Sequence, residues 1–140
     1  MTTADAIAVA VTFLWLGMVL AISFIEAPIK FTAPGVTLQI GLGIGRKVFR
    51  VLNSVEAVAA LVLIGCLVAS HDSPQSFATA VAIIALVAQL IFVSPLLKKR
   101  SDAVLAGGEA PRSRAHHAYI ALEVVKVVAL IVAGVGLLTR

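Results

Sequence analysis

Four long apolar runs limit what this chain can fold into. They cover approximately residues 6–27, 47–70, 75–97 and 115–138, and residues 6–25 carry no charge at all. A helix of about 20 apolar residues spans a hydrocarbon core about 30 Å thick. Of the 140 residues, 61% are hydrophobic and only 13% are charged, far from the balance of a soluble domain. The sequence therefore predicts a single domain, residues 1–140, folded as an all-α integral membrane bundle of four helices.

The basic residues are concentrated in two of the connections between the runs, the first and the third. Those in or next to these two loops are Lys30, Arg46, Lys47, Arg50, Lys98, Lys99, Arg100, Arg112 and Arg114. Cytoplasmic loops of membrane proteins carry an excess of Lys and Arg. We therefore predict that both loops lie in the cytoplasm and both termini outside, in a cell (inner) membrane.

Several classes of protein do not fit the sequence. The first run lacks a basic n-region and a small-residue cleavage site, which favours a retained helix over a secretory signal. The basic residues are not interleaved with aromatic ones, so no nucleic-acid partner is predicted. Cys66 is the single cysteine and lies in an apolar run, which excludes a disulfide framework and a paired-thiol redox motif.

The connection between the first two runs has an unusual pattern. Over residues 36–45, apolar residues alternate with Thr, Gln and Gly, and a period of two is typical of extended chain. We therefore predict an extended, glycine-rich cytoplasmic loop between helices 1 and 2. Because this loop precedes a predicted helix N-terminus, it is also a candidate site for an anion or an anionic lipid headgroup. The residues of that site are Gly43, Gly45, Arg46 and Lys47.

The last apolar run begins with RAHHAYIALEVVK, whose polar residues recur at helical spacing. His116, Tyr119, Glu123 and Lys126 follow one another at steps of three or four residues, and such steps return to one face of a helix. Charged residues in membrane helices face the bundle interior, because lipid solvates them poorly. We expect this face to point toward the other helices.

Polar residues of the earlier runs lie at matching depths. Glu26 ends the first run, and Asn53 and Glu56 lie in the first turns of the second. Glu56 and Glu123 are each about nine residues into their predicted helices, about 13 Å of rise from the same side. Gln89, in the third run, is expected to make a hydrogen bond between helices. We therefore predict one polar cluster in the cytoplasmic half, formed by Glu26, Asn53, Glu56, His116, Tyr119, Glu123 and Lys126.

Three interpretations of this cluster are open. It is a structural ion-pair network that fixes helix register, a pathway for a proton or small cation, or a metal site. The metal interpretation uses Glu56, Glu123 and His116 as ligands of a divalent metal cofactor, although the Glu-x-x-His pairs of di-iron bundles are absent from the sequence. No Ser–His–Asp or Cys–His arrangement is evident, so no catalytic residue is predicted.

Short segments of the first half resemble a known family. They are Gly17, SFIEAPIKF (residues 23–31), GRKVF (residues 45–49), and the pair Asn53 and Glu56. In these segments the chain is similar to a family of bacterial four-helix membrane proteins of unknown function. That family is distantly similar to small eukaryotic transmembrane proteins linked to drug resistance. The resemblance implies a four-helix membrane fold and carries over no catalytic residue.

These observations favour a small multi-pass membrane protein that binds or translocates a small cation, a proton or a solute. One four-helix bundle has little room for a pore of its own, so we expect a homo-oligomer or a partner in a membrane complex. The lipid bilayer and its anionic headgroups are the other expected partners. The alternatives are a membrane-embedded metal-dependent enzyme with Glu and His ligands, and a structural accessory subunit.

Overall fold

The computed structural model describes residues 1–69, 75–108 and 114–139. Its four long helices are α1 (Thr3–Thr32), α2 (Leu38–Ala69), α3 (Ser76–Leu105) and α4 (Arg114–Leu138). Each is long and apolar enough to cross a membrane, and the prediction of an all-α four-helix bundle is confirmed for the described residues. One of the basic residues used for the topology prediction, Arg112, lies outside them.

The helices pack around a narrow core of small and branched side chains. α1 lies beside α2 and α4, and α3 lies beside α4 and, mainly through its C-terminal part, beside α2. α2 and α4 therefore face each other diagonally across the bundle. The core includes Val19, Ala59, Leu63, Ala82, Leu86, Ala129 and Leu130. Large apolar side chains cover the outside of the bundle, which is the surface that a lipid environment requires.

α1 and α3 each contain a wider, π-helical segment ahead of a proline. It spans Leu20–Glu26 before Pro28 in α1, and Gln89–Val93 before Pro95 in α3. In a regular α-helix, a proline ring clashes with the carbonyl four residues earlier and removes a backbone donor. The wider turn accommodates the ring, so both helices continue past their prolines.

The predicted extended loop over residues 36–45 is wrong, because α2 already begins at Leu38. The reason is the close approach of the chain that precedes it. Gly41 and Gly45 are buried one turn apart on α2. A Cβ on Gly41 would overlap the ring of Phe31, and one on Gly45 would lie 2.9 Å from Lys30 Nζ. The glycines therefore mark a packing face of a helix rather than a strand.

The premise of the predicted anion or headgroup site is also wrong. The sequence placed these glycines and basic residues ahead of a helix N-terminus, whereas the structure places all four inside α2, namely Gly43, Gly45, Arg46 and Lys47. Their backbone N–H groups are those of a helix interior and not the open donors of a helix start.

The basic ends of α2 and α3 are joined directly. Arg46 Nη1 lies 2.7 Å from Asp102 Oδ1, and Gln39 Nε2 donates a hydrogen bond to Val104 O at 3.1 Å. Both helices are longer than the about 20 residues that span a bilayer. Their linked ends therefore form a basic helical extension of the bundle, which we call the basic end.

We predict that Gly41→Ala destabilises the protein by about 1 to 3 kcal/mol, because the added methyl group displaces the Phe31 ring. Gly43→Ala is the matched control. Its Cβ would meet Leu105 Cδ2 at an ordinary 4.0 Å, and alanine is better than glycine in a helix by about 1 kcal/mol. Thermal unfolding in detergent measures both variants. Phe31→Ala should remove the penalty of Gly41→Ala, and an unchanged penalty in that background would contradict the steric cause.

Candidate functional site

A lysine side chain, Lys126, lies fully buried at the midpoint of α4. Its Nζ donates hydrogen bonds to Glu56 Oε2 at 2.5 Å and to Gln89 Oε1 at 2.7 Å, and it lies 2.6 Å from Glu123 Oε1. An ammonium group has three N–H donors, and these three oxygens match them in number. Three helices, α2, α3 and α4, thus meet at one nitrogen atom.

Further hydrogen bonds hold the oxygens that surround Lys126. Trp15 Nε1 donates to Glu56 Oε2 at 2.7 Å, and Gln89 Nε2 donates to Glu123 Oε1 at 2.7 Å. The Gln89 amide is therefore oriented by charge at both ends, its oxygen toward the ammonium and its nitrogen toward a carboxylate. We call Trp15, Glu56, Gln89, Glu123 and Lys126 the central cluster. Each of the four helices contributes at least one of its members.

Helix register explains the position of the central cluster. Glu123 and Lys126 are three residues apart, so their side chains leave the same face of α4. Glu56 and Gln89 lie near the middle of α2 and α3. The cluster therefore lies near mid-height in the bundle, and Glu56 is further from the start of α2 than the sequence indicated, because α2 begins at Leu38.

The charges of the central cluster do not balance. Two carboxylates surround one ammonium, and Glu56, Glu123 and Lys126 are each at most 1% exposed. One oxygen of each carboxylate, Glu56 Oε1 and Glu123 Oε2, is buried with no hydrogen-bond partner among the described residues. A buried ion without a partner is strongly unfavourable. The cluster can therefore accept one more positive charge, and it has two oxygen atoms with which to hold it.

A second, smaller polar group lies nearer the basic end. Lys30 Nζ is 3.6 Å from Glu26 Oε2 and 6.0 Å from the ring centre of Phe49, and Phe49 packs edge-on against Tyr119 with 5.8 Å between ring centres. Tyr119 links this group to the central cluster, because its carbonyl accepts a 3.4 Å hydrogen bond from Gln89 Nε2. The Tyr119 hydroxyl is buried and has no hydrogen-bond partner in the described part of the chain.

A cleft of about 250 Å³ lies beside the central cluster, between α1 and α2. Apart from Trp15 and Glu56, its lining residues are apolar. Ala59, one turn after Glu56, is one of them. The cleft therefore leaves free space next to the Glu56 side of the central cluster.

The structure gathers only part of the predicted polar cluster. Glu56, Glu123 and Lys126 come together, and Tyr119 lies at their edge. The remaining three residues lie elsewhere. Glu26 is paired with Lys30, Asn53 is half-buried one turn before Glu56, and the ring centre of His116 lies 5.9 Å from that of His117 near the start of α4.

Sequence reasoning missed Trp15 but not Gln89. The expected hydrogen bond of Gln89 between helices is confirmed. Trp15 is the single tryptophan of the chain and lies deep in the first apolar run. A buried indole N–H needs an acceptor, and this requirement was the available signal.

The predicted metal ligands are not assembled in this arrangement. Within residues 1–69, 75–108 and 114–139, no group of three or more His, Cys, Asp or Glu side chains could hold a metal ion. Glu56 and Glu123 share Lys126 instead, and His116 lies two turns before Glu123 on α4.

Comparison with known proteins does not assign this chain to a family. No family model, no characterised protein and no solved structure matches this chain. The functional conclusion therefore rests on the geometry of the central cluster.

We predict that Lys126→Met lowers the free energy of unfolding by about 3 to 5 kcal/mol, because it leaves two buried carboxylates without a counter-charge. Adding Glu56→Gln should recover part of this loss, since only one carboxylate then lacks a partner. A double-mutant cycle measures the coupling. Lys47→Met, at an exposed side chain, is the control and should change stability by about 0.5 kcal/mol or less. Additive effects of Glu56→Gln and Lys126→Met would contradict the pairing.

Proposed function

We propose that this chain is a small multi-pass membrane protein whose central cluster binds or translocates a proton or a small cation. Four apolar helices support insertion into a bilayer. The many Lys and Arg residues at the basic end support a cytoplasmic position for that end, with both termini outside the cell membrane. One observation carries the function: two carboxylates and one ammonium are buried together at mid-height.

Charged side chains at this depth lower the stability of a membrane helix, so their presence needs a functional reason. A charged side chain at the centre of a membrane helix costs roughly 2.5–3.5 kcal/mol on insertion scales, and the central cluster contains three such side chains. Apolar residues of similar volume would fill the same space without that penalty. Acidic and basic residues inside membrane helices commonly mark ion pathways and proton relays, and this supports an ion-binding role over packing alone.

Buried oxygens without hydrogen-bond partners flank the central cluster on both sides. Ser23 Oγ, Glu26 Oε2 and Tyr119 OH lie toward the basic end, and Thr12 Oγ1 lies toward the opposite end. Within the described residues none of these atoms accepts or donates a hydrogen bond. We propose that they bind water or the passing ion, because buried polar groups are normally satisfied by protein or by ordered water.

A structural ion-pair network is the second candidate function, and the saturated Lys126 ammonium favours it. All three N–H donors of Lys126 have an oxygen within 2.7 Å. Such a network fixes the rotation and height of the helices. The two candidates differ in one measurable property, because a purely structural network carries no flux.

We predict that the purified protein in liposomes dissipates an imposed proton or potassium gradient. Glu56→Gln and Glu123→Gln should each lower the rate about tenfold or more, equivalent to about 1.4 kcal/mol in the barrier, because each removes a carboxylate of the site. Asp102→Asn is the matched control, the same replacement of a carboxylate by an amide at a side chain that is 53% exposed and pairs with Arg46 outside the central cluster, and its rate should stay close to that of the wild type. Flux no higher than in empty liposomes would exclude translocation and favour the structural network.

The orientation has its own test. In a Cys66→Ala background, a membrane-impermeant maleimide should label Thr139→Cys in intact cells, and Lys99→Cys only after permeabilisation, because the basic end is expected in the cytoplasm. Both positions are exposed. Labelling of Lys99→Cys alone in intact cells would reverse the proposed orientation.

A further inference from the structure

The two halves of the chain repeat one pattern at a constant offset. The same number of residues, 67, separates Thr12 from Thr79, Pro28 from Pro95 and Glu56 from Glu123. The dipeptide Leu-Ile also occurs twice at this offset, at residues 63–64 and at residues 130–131. The offset therefore relates the hairpin α1–α2 to the hairpin α3–α4.

The backbone repeats at the same offset. Each π-helical segment ends two residues before its proline. In the first half Ala27 N–H donates to Ile22 O, and in the second half Ser94 N–H donates to Gln89 O. Both the donors and the acceptors of these two bonds are 67 residues apart.

Burial follows the repeat as well. Five pairs of equivalent residues are at most 3% exposed in both halves, namely Thr12 and Thr79, Trp15 and Ala82, Val19 and Leu86, Glu56 and Glu123, and Leu63 and Leu130. Buried polar residues are rare in an apolar bundle, so two such pairs at one offset indicate equivalent environments. The two hairpins therefore resemble each other in sequence, in backbone and in packing.

The arrangement of the helices has the corresponding symmetry. α1 and α3 run in one direction and α2 and α4 in the other, and α2 lies diagonally opposite α4. An approximate two-fold axis along the bundle therefore exchanges the two hairpins. Glu56 and Glu123 are equivalent across this axis. In transporters built from repeats, the substrate and ion sites lie near the mid-plane at the interface between the repeats.

The symmetry is broken by two large side chains. Lys126 is equivalent to Ala59, and Trp15 is equivalent to Ala82. Trp15 and Lys126 donate to the same atom, Glu56 Oε2. The ammonium of Lys126 is thus bound between two equivalent carboxylates, where a free cation would bind in a fully symmetric bundle.

We propose that the central cluster is a cation site built by two equivalent hairpins, in which the Lys126 ammonium is the resident occupant. The external ligand is a small monovalent cation, either ammonium or an alkali ion. Three oxygens lie 2.5–2.7 Å from Nζ, which suits an ammonium-sized ion, whereas Ca²⁺ and Mg²⁺ take six or more oxygens. The proposal rests on the proposed function and narrows it, because Lys126 and the cation compete for the same two carboxylates.

Moving the lysine between equivalent positions tests the repeat. Lys126→Ala should lower the Tm of the detergent-purified protein, and adding Ala59→Lys should restore most of the loss. Ala59 follows Glu56 by three residues, as Lys126 follows Glu123, and the cleft beside Ala59 leaves room for a longer side chain. If Lys126→Ala does not fold, recovery of monodisperse protein replaces Tm as the measurement.

Ala60→Lys is the matched control for this relocation. Ala60 is also a buried alanine of α2, but it lies about 100° further round the helix. Its addition to Lys126→Ala should restore nothing. Equal results for Ala59→Lys and Ala60→Lys in the Lys126→Ala background would overturn the proposed repeat.

Removing the resident ammonium should also open the site to added cations. Ammonium, potassium or sodium chloride should raise the Tm of Lys126→Ala above its value in N-methylglucamine chloride at equal ionic strength. Glu56→Gln and Glu123→Gln should remove this rise to a similar extent, and the wild type should show a much smaller one. Equal Tm values in all four salts would overturn the cation site.

These experiments measure stability, so their failure is distinguishable from failure of the proposed function. Flux through the wild type without rescue by Ala59→Lys would overturn the repeat and leave the proposed function in place. Rescue and cation stabilisation without flux would support the site and exclude passage through it.

Discussion

The burial of one ammonium group determines how the four helices fit together. Lys126 is completely enclosed, and a charge in that position is tolerated only if oxygens replace its water. The three oxygens come from α2, α3 and α4, so each helix must adopt the rotation and height that present its own acceptor. Trp15 extends the constraint to α1 by donating to Glu56. The hydrogen bonds of the central cluster are short and directional, and apolar packing alone does not select one register among helices so rich in Ala, Val and Leu.

Packing in the rest of the bundle follows from this constraint. In the proposed bilayer environment, helices gain no hydrophobic free energy by associating, so small residues that allow close contact matter more than in water. The core accordingly contains several alanines, among them Ala59, Ala82 and Ala129. Glycine has a similar role where the end of α1 meets the start of α2, because Gly41 and Gly45 admit Phe31 and Lys30. The π-helical turns before Pro28 and Pro95 keep α1 and α3 continuous, which allows both helices to extend past the height of the central cluster.

The sequence was sufficient for the fold class and for the core of the site, because both depend on strong and local signals. Length and hydropathy predict four helices, and the unfavourable energy of buried charge predicts that Glu56, Glu123 and Lys126 meet. It was insufficient where a distant contact overrides a local pattern. The alternation over residues 36–45 resembles a strand only until Phe31 is known to pack on Gly41. The start of α2 was placed too late for the same reason, since α2 begins at Leu38. The repeat of 67 residues is visible in the printed chain, but a few identities in apolar helices gain meaning only from the matching backbone bonds of Ala27 and Ser94.

A structural role and an ion-binding role need not compete in such a bundle. Two equivalent glutamates that meet in a buried site repel each other, so such a pair requires a bound cation or a proton. A lysine at one of the two equivalent positions supplies that cation covalently and makes the fold independent of ions in the medium. It neutralises only one of the two carboxylates, and an oxygen of each remains without a hydrogen-bond partner. The same ammonium that stabilises the helices therefore weakens the binding of an external ion, since both cations draw on the negative charge of Glu56 and Glu123.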